Sequence, residues 1–135
     1  MLYHLVCPTK YRRIIITEKV DRLIKETCMG IAQRYDMYFL EIGTDKDHVH
    51  FLIQSVPMML PQRIVQIIKS ITAKEVFRQA PEVRKSLWGG QFWSNGYYIS
   101  TVSKHGSEQA VSRYVKEQGR EKEYAKLHTN QLKLF

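Results

Sequence analysis

The chain has 135 residues, and its 21 Lys and Arg against 13 Asp and Glu give a formal charge of +8. That length suits a single domain over 1–135 with a real hydrophobic core, and the charge favours a polyanionic partner. No run approaches the roughly 18 apolar residues of a membrane-spanning helix, the longest wholly aliphatic stretch being Ile14-Ile15-Ile16, so no membrane partner is expected.

The first residues lack a signal peptide's charged start, apolar middle and small-residue cleavage site, so the expected location is cytoplasmic. Cys7 and Cys28 are too far apart for a C-x-x-C site and read as two reduced structural thiols. Leu2 to Cys7 reads as a short strand ended by Pro8, followed by a basic, aromatic loop, Lys10-Tyr11-Arg12-Arg13. Thr17 then suits a helix N-cap with Glu18 behind it, and Val20, Leu23, Ile24, Thr27, Cys28, Ile31 and Tyr35 recur at helical spacing. Gly30 weakens that helix without ending it. Met37 to Ile42 alternates as a second strand, Gly43 to Asp47 is a polar turn, and His48 to Gln54 is a third strand closing a hairpin.

Pro57 and Pro61 bracket the start of a second helix, with Pro61 suited to its first turn and Ile64, Ile67, Ile68, Ile71 and Phe77 on its buried stripe. Its other face is basic: Arg63, Lys69, Lys74 and Arg78 are candidates for phosphate contacts, although such residues commonly form a solvated face. Pro81 ends the helix, a loop runs through Trp88-Gly89-Gly90, and a fourth strand is expected around Tyr97 to Val102. A last helix begins near Ser107, with Glu108 in its first turn and Ala110, Val111, Tyr114, Val115 and Gln118 on one face. His128 to Phe135 reads as a loose end or small docking segment.

The order β-α-β-β-α-β plus one further helix is the split βαβ pattern of ferredoxin-like and RRM-like α+β folds, an antiparallel sheet with two helices on one face. The other face is expected to be open. Val49, Phe51 and Ile53 should meet the helices, leaving His48, His50, Leu52 and Gln54 to point outward. The extra C-terminal helix would carry Tyr114 across to the histidines.

His48-Val49-His50 carries the chemistry. Side chains alternate along a strand, so the two imidazoles project from one face and can share a metal ion. Tyr114 and Gln118, four residues apart, share a helix face. Imidazole suits Mn and Zn, and a carboxamide oxygen also suits Mg, so three neutral ligands would leave open positions for phosphate oxygens. Tyr114 can attack phosphorus in line and store the bond as a phosphotyrosine, which a later strand hydroxyl reseals without ATP. Its phenol, with an ordinary pKa of about 10, must shed its proton during attack; Lys116 and Lys122 lie on the same helix.

Each part alone has a plainer explanation. An H-x-H strand commonly holds satisfied or half-exposed histidines, a Tyr between valines packs with its hydroxyl in water, and Gln118 is an ordinary surface amide. Asp45 and Asp47 are turn formers that can also support a histidine from behind. His4 reads as a core or sheet-face histidine rather than a ligand. Trp88, Trp93, Tyr97 and Tyr98 can stack on bases, with packing the default.

Together these residues resemble the small single-tyrosine transposases of minimal insertion sequences, the IS200-like members of the histidine-hydrophobe-histidine (HUH) endonuclease superfamily. The resemblance covers most of the chain: His4-Leu5-Val6 followed by Lys10-Tyr11-Arg12, then Asp47-His48-Val49-His50-Phe51, the Pro61 to Lys74 helix, Trp88, and Tyr114 with Gln118. Gly89-Gly90-Gln91 departs from the family's usual segment. The resemblance implies Tyr114 as nucleophile, His48, His50 and Gln118 as ligands of a divalent metal, Mg or Mn, and Lys10, Arg12, Arg13, Lys69, Lys74 and Arg78 as candidate DNA contacts. It further implies a homodimer that binds hairpins in single-stranded DNA at the element's ends. Cleavage would form 5′-phosphotyrosine links, and the tyrosine helix could serve the partner's histidines in trans.

Rival readings start from the same residues. A replication initiator, a relaxase or a domesticated palindrome-processing nuclease would share the chemistry and differ in substrate. A non-catalytic RRM-like RNA-binding module would place aromatics on exposed central strands, whereas here the outward positions are His48, His50, Leu52 and Gln54. A basic ferredoxin-like dimer with a structural role is the third.

Overall fold

The computed structural model describes residues 2–56, 58–88 and 90–102. Strands β1 (Leu2–Pro8), β2 (Met37–Thr44), β3 (His48–Ser55) and β4 (Tyr98–Val102) are joined by helices α1 (Glu18–Tyr35), α2 (Pro61–Gln79) and α3 (Pro81–Ser86). The sheet order is β2-β3-β1-β4, and every neighbouring pair is antiparallel. The α1 crossover therefore skips over β3 and the α2 crossover skips over β1. The result is an α+β fold whose two central strands are β3 and β1.

Burial alternates along β1, where Tyr3, Leu5 and Cys7 enter the core and His4, Val6 and Pro8 stay partly exposed on the opposite face. Val49, Phe51 and Ile53 join the same core, with Val20, Ile24, Cys28 and Ile31 of α1 and Ile64, Ile68 and Val76 of α2 packed over them. Both long helices thus cover one face of the sheet. Thr17 caps α1 by accepting a hydrogen bond from the Val20 amide at 3.3 Å, as its sequence position predicts. Pro61 opens α2 at its first turn, where a missing N–H costs nothing.

Three features depart from the expected pattern. The register of β2 against β3 shifts between Phe39 and Glu41, so the core takes Met37, Phe39 and then Ile42; a bulge of one extra residue restores the inward phase after Leu40. Pro81 does not simply lead into a loop. It supplies the first turn of α3, because proline's fixed φ suits a helix start as well as it ends the helix before it. The face opposite the helices is not open at its centre either: His50 (4% exposed), Leu52 (1%) and Glu41 (2%) are buried, while Gln54 points to solvent.

Cys7 and Cys28 are buried free thiols, and burial raises both pKa values, that of Cys7 to about 12. They sit in the core as protonated, unreactive groups. Among the described residues no helix is long and apolar enough to cross a membrane.

Candidate active site

His48 begins β3, opposite Pro8 of β1, and His50 lies opposite Val6. Their ring centroids are 4.8 Å apart with the planes at 76°, so the two imidazoles gather on the sheet face away from the helices. Each has a neighbour at Nδ1. For His48 it is the Asp47 carboxylate, 2.8 Å away. The hydrogen bond from His48, and then the charge of Arg12, hold the Asp47 carboxyl below its usual range. An ionised carboxylate can only accept, so the proton of this bond sits on His48 Nδ1, which leaves Nε2 as the nitrogen turned away from Asp47. The Arg12 Nε lies 3.2 Å from the other Asp47 oxygen, completing a chain from guanidinium to carboxylate to imidazole.

For His50 the neighbour is His4, whose Nε2 is 3.2 Å from His50 Nδ1. The rings are nearly parallel, at 9°, with centroids 5.5 Å apart. Burial is the main reason the His50 pKa falls to about 4, reinforced by the charges His48 and His4 can carry and opposed by Asp45. Burial lowers the pKa of His4 as well. His50 is therefore a neutral imidazole near neutral pH, the form that binds a metal.

The turn after β1 is stitched to the loop that delivers His48. The Thr9 amide donates to the Asp47 carbonyl at 2.9 Å, and the Ile15 and Ile16 amides both donate to the Lys46 carbonyl. The buried Thr9 hydroxyl donates to the Arg13 carbonyl at 2.8 Å. Lys10, Arg12 and Arg13 therefore lie in a segment registered on the histidines. Lys69, Lys74 and Arg78 belong to the helix layer on the other side of the sheet. Lys69 donates to the Ser94 carbonyl at 2.6 Å and braces the loop before β4, and Arg78 pairs with Glu75 at 2.8 Å. Tyr114, Gln118, Lys116 and Lys122, with the helix expected from Ser107 and the tail from His128, lie outside the described residues.

Among the described residues no three His, Cys, Asp or Glu side chains converge to hold an ion. His48 and His50 still suit a divalent metal as two imidazole donors, each with a supporting partner behind Nδ1. Sequence reasoning allows Asp47 its supporting role and reads His4 as a core or sheet-face histidine rather than a ligand; it does lie on the sheet face, where its contact with His50 is the part not foreseen. The signal for that contact was the alternation of β1, in which Tyr3, Leu5 and Cys7 turn inward and leave His4 on the outer face beside β3.

The family model described as "Transposase IS200 like" matches residues 1–118. The ISDra2 transposase TnpA of Deinococcus radiodurans is 29% identical over 116 residues, covering 86% of this chain and 82% of that protein. A crystal structure of a candidate transposase from Deinococcus radiodurans R1 superposes with a TM-score of 0.68 at 28% identity, covering 88% of this chain and 91% of that one. The REP-associated tyrosine transposase, solved bound to a REP hairpin, shares the fold at a TM-score of 0.53 and 8% identity, covering 87% of this chain and 63% of that one. With a histidine pair on one sheet face and a family match over nearly its whole length, the chain belongs to the IS200-like transposases.

Proposed function

We propose that this transposase cleaves and rejoins single-stranded DNA at hairpin-marked element ends, using Tyr114 as nucleophile and a divalent metal held by His48, His50 and Gln118. The observation that carries this reading is the His48–His50 pair, in which Asp47 and His4 support the two Nδ1 atoms. A bound ion, Mg or Mn, supplies Lewis-acid polarisation of the scissile phosphate. The bond from phosphorus to the 3′ oxygen breaks as the bond to the Tyr114 oxygen forms; the phenol loses its proton and the departing 3′ oxygen takes one up. The resulting 5′-phosphotyrosine conserves the bond energy, and attack by another 3′-hydroxyl reverses the step.

The hairpin is proposed as substrate because a protein of the same fold was solved with a REP hairpin bound, and because the +8 charge suits a nucleic acid. One nucleophilic tyrosine per chain and two element ends favour a homodimer, in which the tyrosine helix would serve either copy's histidines. A ferredoxin-like arrangement fits the β2-β3-β1-β4 order, with the tyrosine helix added after β4. An RNA-reading sheet is less well supported, since His50 and Leu52 are buried on the face such a module would expose.

The test is a denaturing gel of the full chain incubated with labelled single-stranded DNA carrying a hairpin from beside its own gene, with Mg or Mn. A covalent adduct that needs the metal and vanishes in Tyr114→Phe is the expected result. Binding without an adduct, under both metals and with several flanking hairpins, would overturn the reading.

A further inference from the structure

Among the described residues four non-glycine residues have positive φ: Tyr11 (58°), Arg12 (53°), Asp36 (51°) and Trp88 (56°). Asp36 is the C-cap of α1, a place where short polar residues tolerate the left-handed conformation. Of the other three, Tyr11 and Arg12 lie in the basic segment Lys10-Tyr11-Arg12-Arg13 and Trp88 lies beside Arg13 of that segment. A left-handed Trp is a genuine steric outlier, and it stands just past α3, where its amide donates to the Lys85 carbonyl at 3.1 Å. Glycine is the usual residue at such a helix end, and two glycines follow immediately in the sequence. The strained position is nevertheless occupied by an indole.

That indole gains almost nothing by burial. Trp88 is 84% exposed, whereas Trp93 is 3% exposed and donates from its indole N–H to Thr72 at 2.9 Å. The Arg13 guanidinium lies 5.8 Å from the centre of the Trp88 ring. Tyr11, 71% exposed, has the Lys10 ammonium 5.2 Å from its own ring centre. Arg84 and Lys85 add positive charge in the last turn of α3. Arg13 thus joins the strained, exposed indole to a basic turn that Arg12 ties to Asp47, and Asp47 to His48.

Resting on the single-stranded DNA reading above, we propose that Trp88 and Arg13 form a stacking platform for one unpaired base of the strand that leads to the His48–His50 site. Arg13 covers part of the indole and the remaining surface accepts a base, while Lys10 and Arg12 meet the flanking phosphates. Stacking on a π-face reads no sequence but requires the base to be unpaired, so the platform discriminates single strand from duplex. Its positively charged rim is complementary to DNA rather than to a second copy of this basic chain.

The test titrates the full chain with the hairpin-bearing oligonucleotide while following tryptophan emission, alongside Trp88→Asn and Trp88→Phe. Asparagine keeps the left-handed backbone preference and deletes the ring. The expected result is quenching of the exposed Trp88 on binding, a roughly 5- to 100-fold weaker affinity for Trp88→Asn, and substantial recovery in Trp88→Phe. The melting temperature of Trp88→Asn should be unchanged or higher. An abasic site placed along the strand should weaken wild-type binding most at one position, and that dependence should vanish in Trp88→Asn. Wild-type affinity in Trp88→Asn, with the adduct still forming, would overturn the platform and leave the transposase reading intact. Quenching and the Trp88→Asn loss without any adduct would support the platform and remove the proposed strand-transfer chemistry. Absence of single-strand binding altogether would overturn both.

Discussion

His4 Nε2 lies 3.2 Å from His50 Nδ1, with the two rings within 9° of parallel. The direction of that bond decides whether His50 can serve as a ligand. If His50 Nδ1–H donates to His4, the lone pair of His50 is on Nε2, the nitrogen that would face an ion; if His4 donates, that nitrogen carries the hydrogen instead. If the proposed ion binds at His50 Nε2 it selects the first arrangement, and His4 would then act as a positioning residue. His4→Phe should weaken Mn affinity of the full chain roughly 10- to 100-fold, read by calorimetry or by the electron spin resonance of free Mn. His4→Gln keeps an acceptor oxygen and should lose less. Equal affinities for wild type and His4→Phe would remove His4 from the site.

Burial of the same two imidazoles sets a pH dependence. His50 has a folded-state pKa of about 4 against an ordinary value of 6.5, mainly through burial, and His4 is lowered for the same reason. The unfolded chain therefore binds protons more readily than the folded chain between those values. Stability is fully present above about pH 6.5 and is lost as pH falls towards 4. Asp47, also lowered, extends the loss below the ordinary carboxylate value. Urea midpoints measured from pH 7 to pH 4 should fall steadily in wild type and more gently in His50→Gln. A flat wild-type profile over that window would contradict the buried neutral imidazole.

Much of this arrangement was legible in the sequence because it rests on local rules. Thr17 caps α1, Pro61 opens α2, and the alternation from Val49 to Ile53 sorts core from histidine face. The Leu40 bulge was not legible, since an extra residue changes which side chains face inward without leaving a composition signal. The burial of Leu52 was not legible either, since alternation along β3 puts it on the face away from the helices. Lys69 looked like one of several surface cations, and only the fold shows its ammonium bracing the Ser94 carbonyl.

Trp93 shows how a buried polar contact stiffens the segment leading to β4. Its indole N–H donates to the Thr72 hydroxyl, which in turn donates to the Ile68 carbonyl at 2.6 Å, with Thr72 fully buried. Thr72→Val keeps the shape and strands the indole N–H in the core. The expected cost is about 1–3 kcal/mol, seen as a lower urea midpoint with an unchanged slope. Thr72→Ser retains the hydroxyl and should recover part of the loss, which separates the hydrogen bond from simple packing.

Salt dependence separates the two groups of cations. Lys10 follows the end of β1, whose Pro8 pairs with His48, while Arg78 rides on α2 across the sheet and is held by Glu75 through both Nε and an Nη. If DNA approaches the histidine face, Lys10→Ala removes one phosphate contact and lowers the slope of log affinity against log salt by about 0.7. Arg78→Ala removes a charge whose carboxylate partner already screens it, on the far layer, so its slope should match wild type. Binding of one fixed hairpin oligonucleotide across a salt series tests both variants. A slope change for Arg78→Ala with none for Lys10→Ala would mean the strand tracks the helices, and the histidine pair would then lie on the wrong side of the sheet for strand transfer.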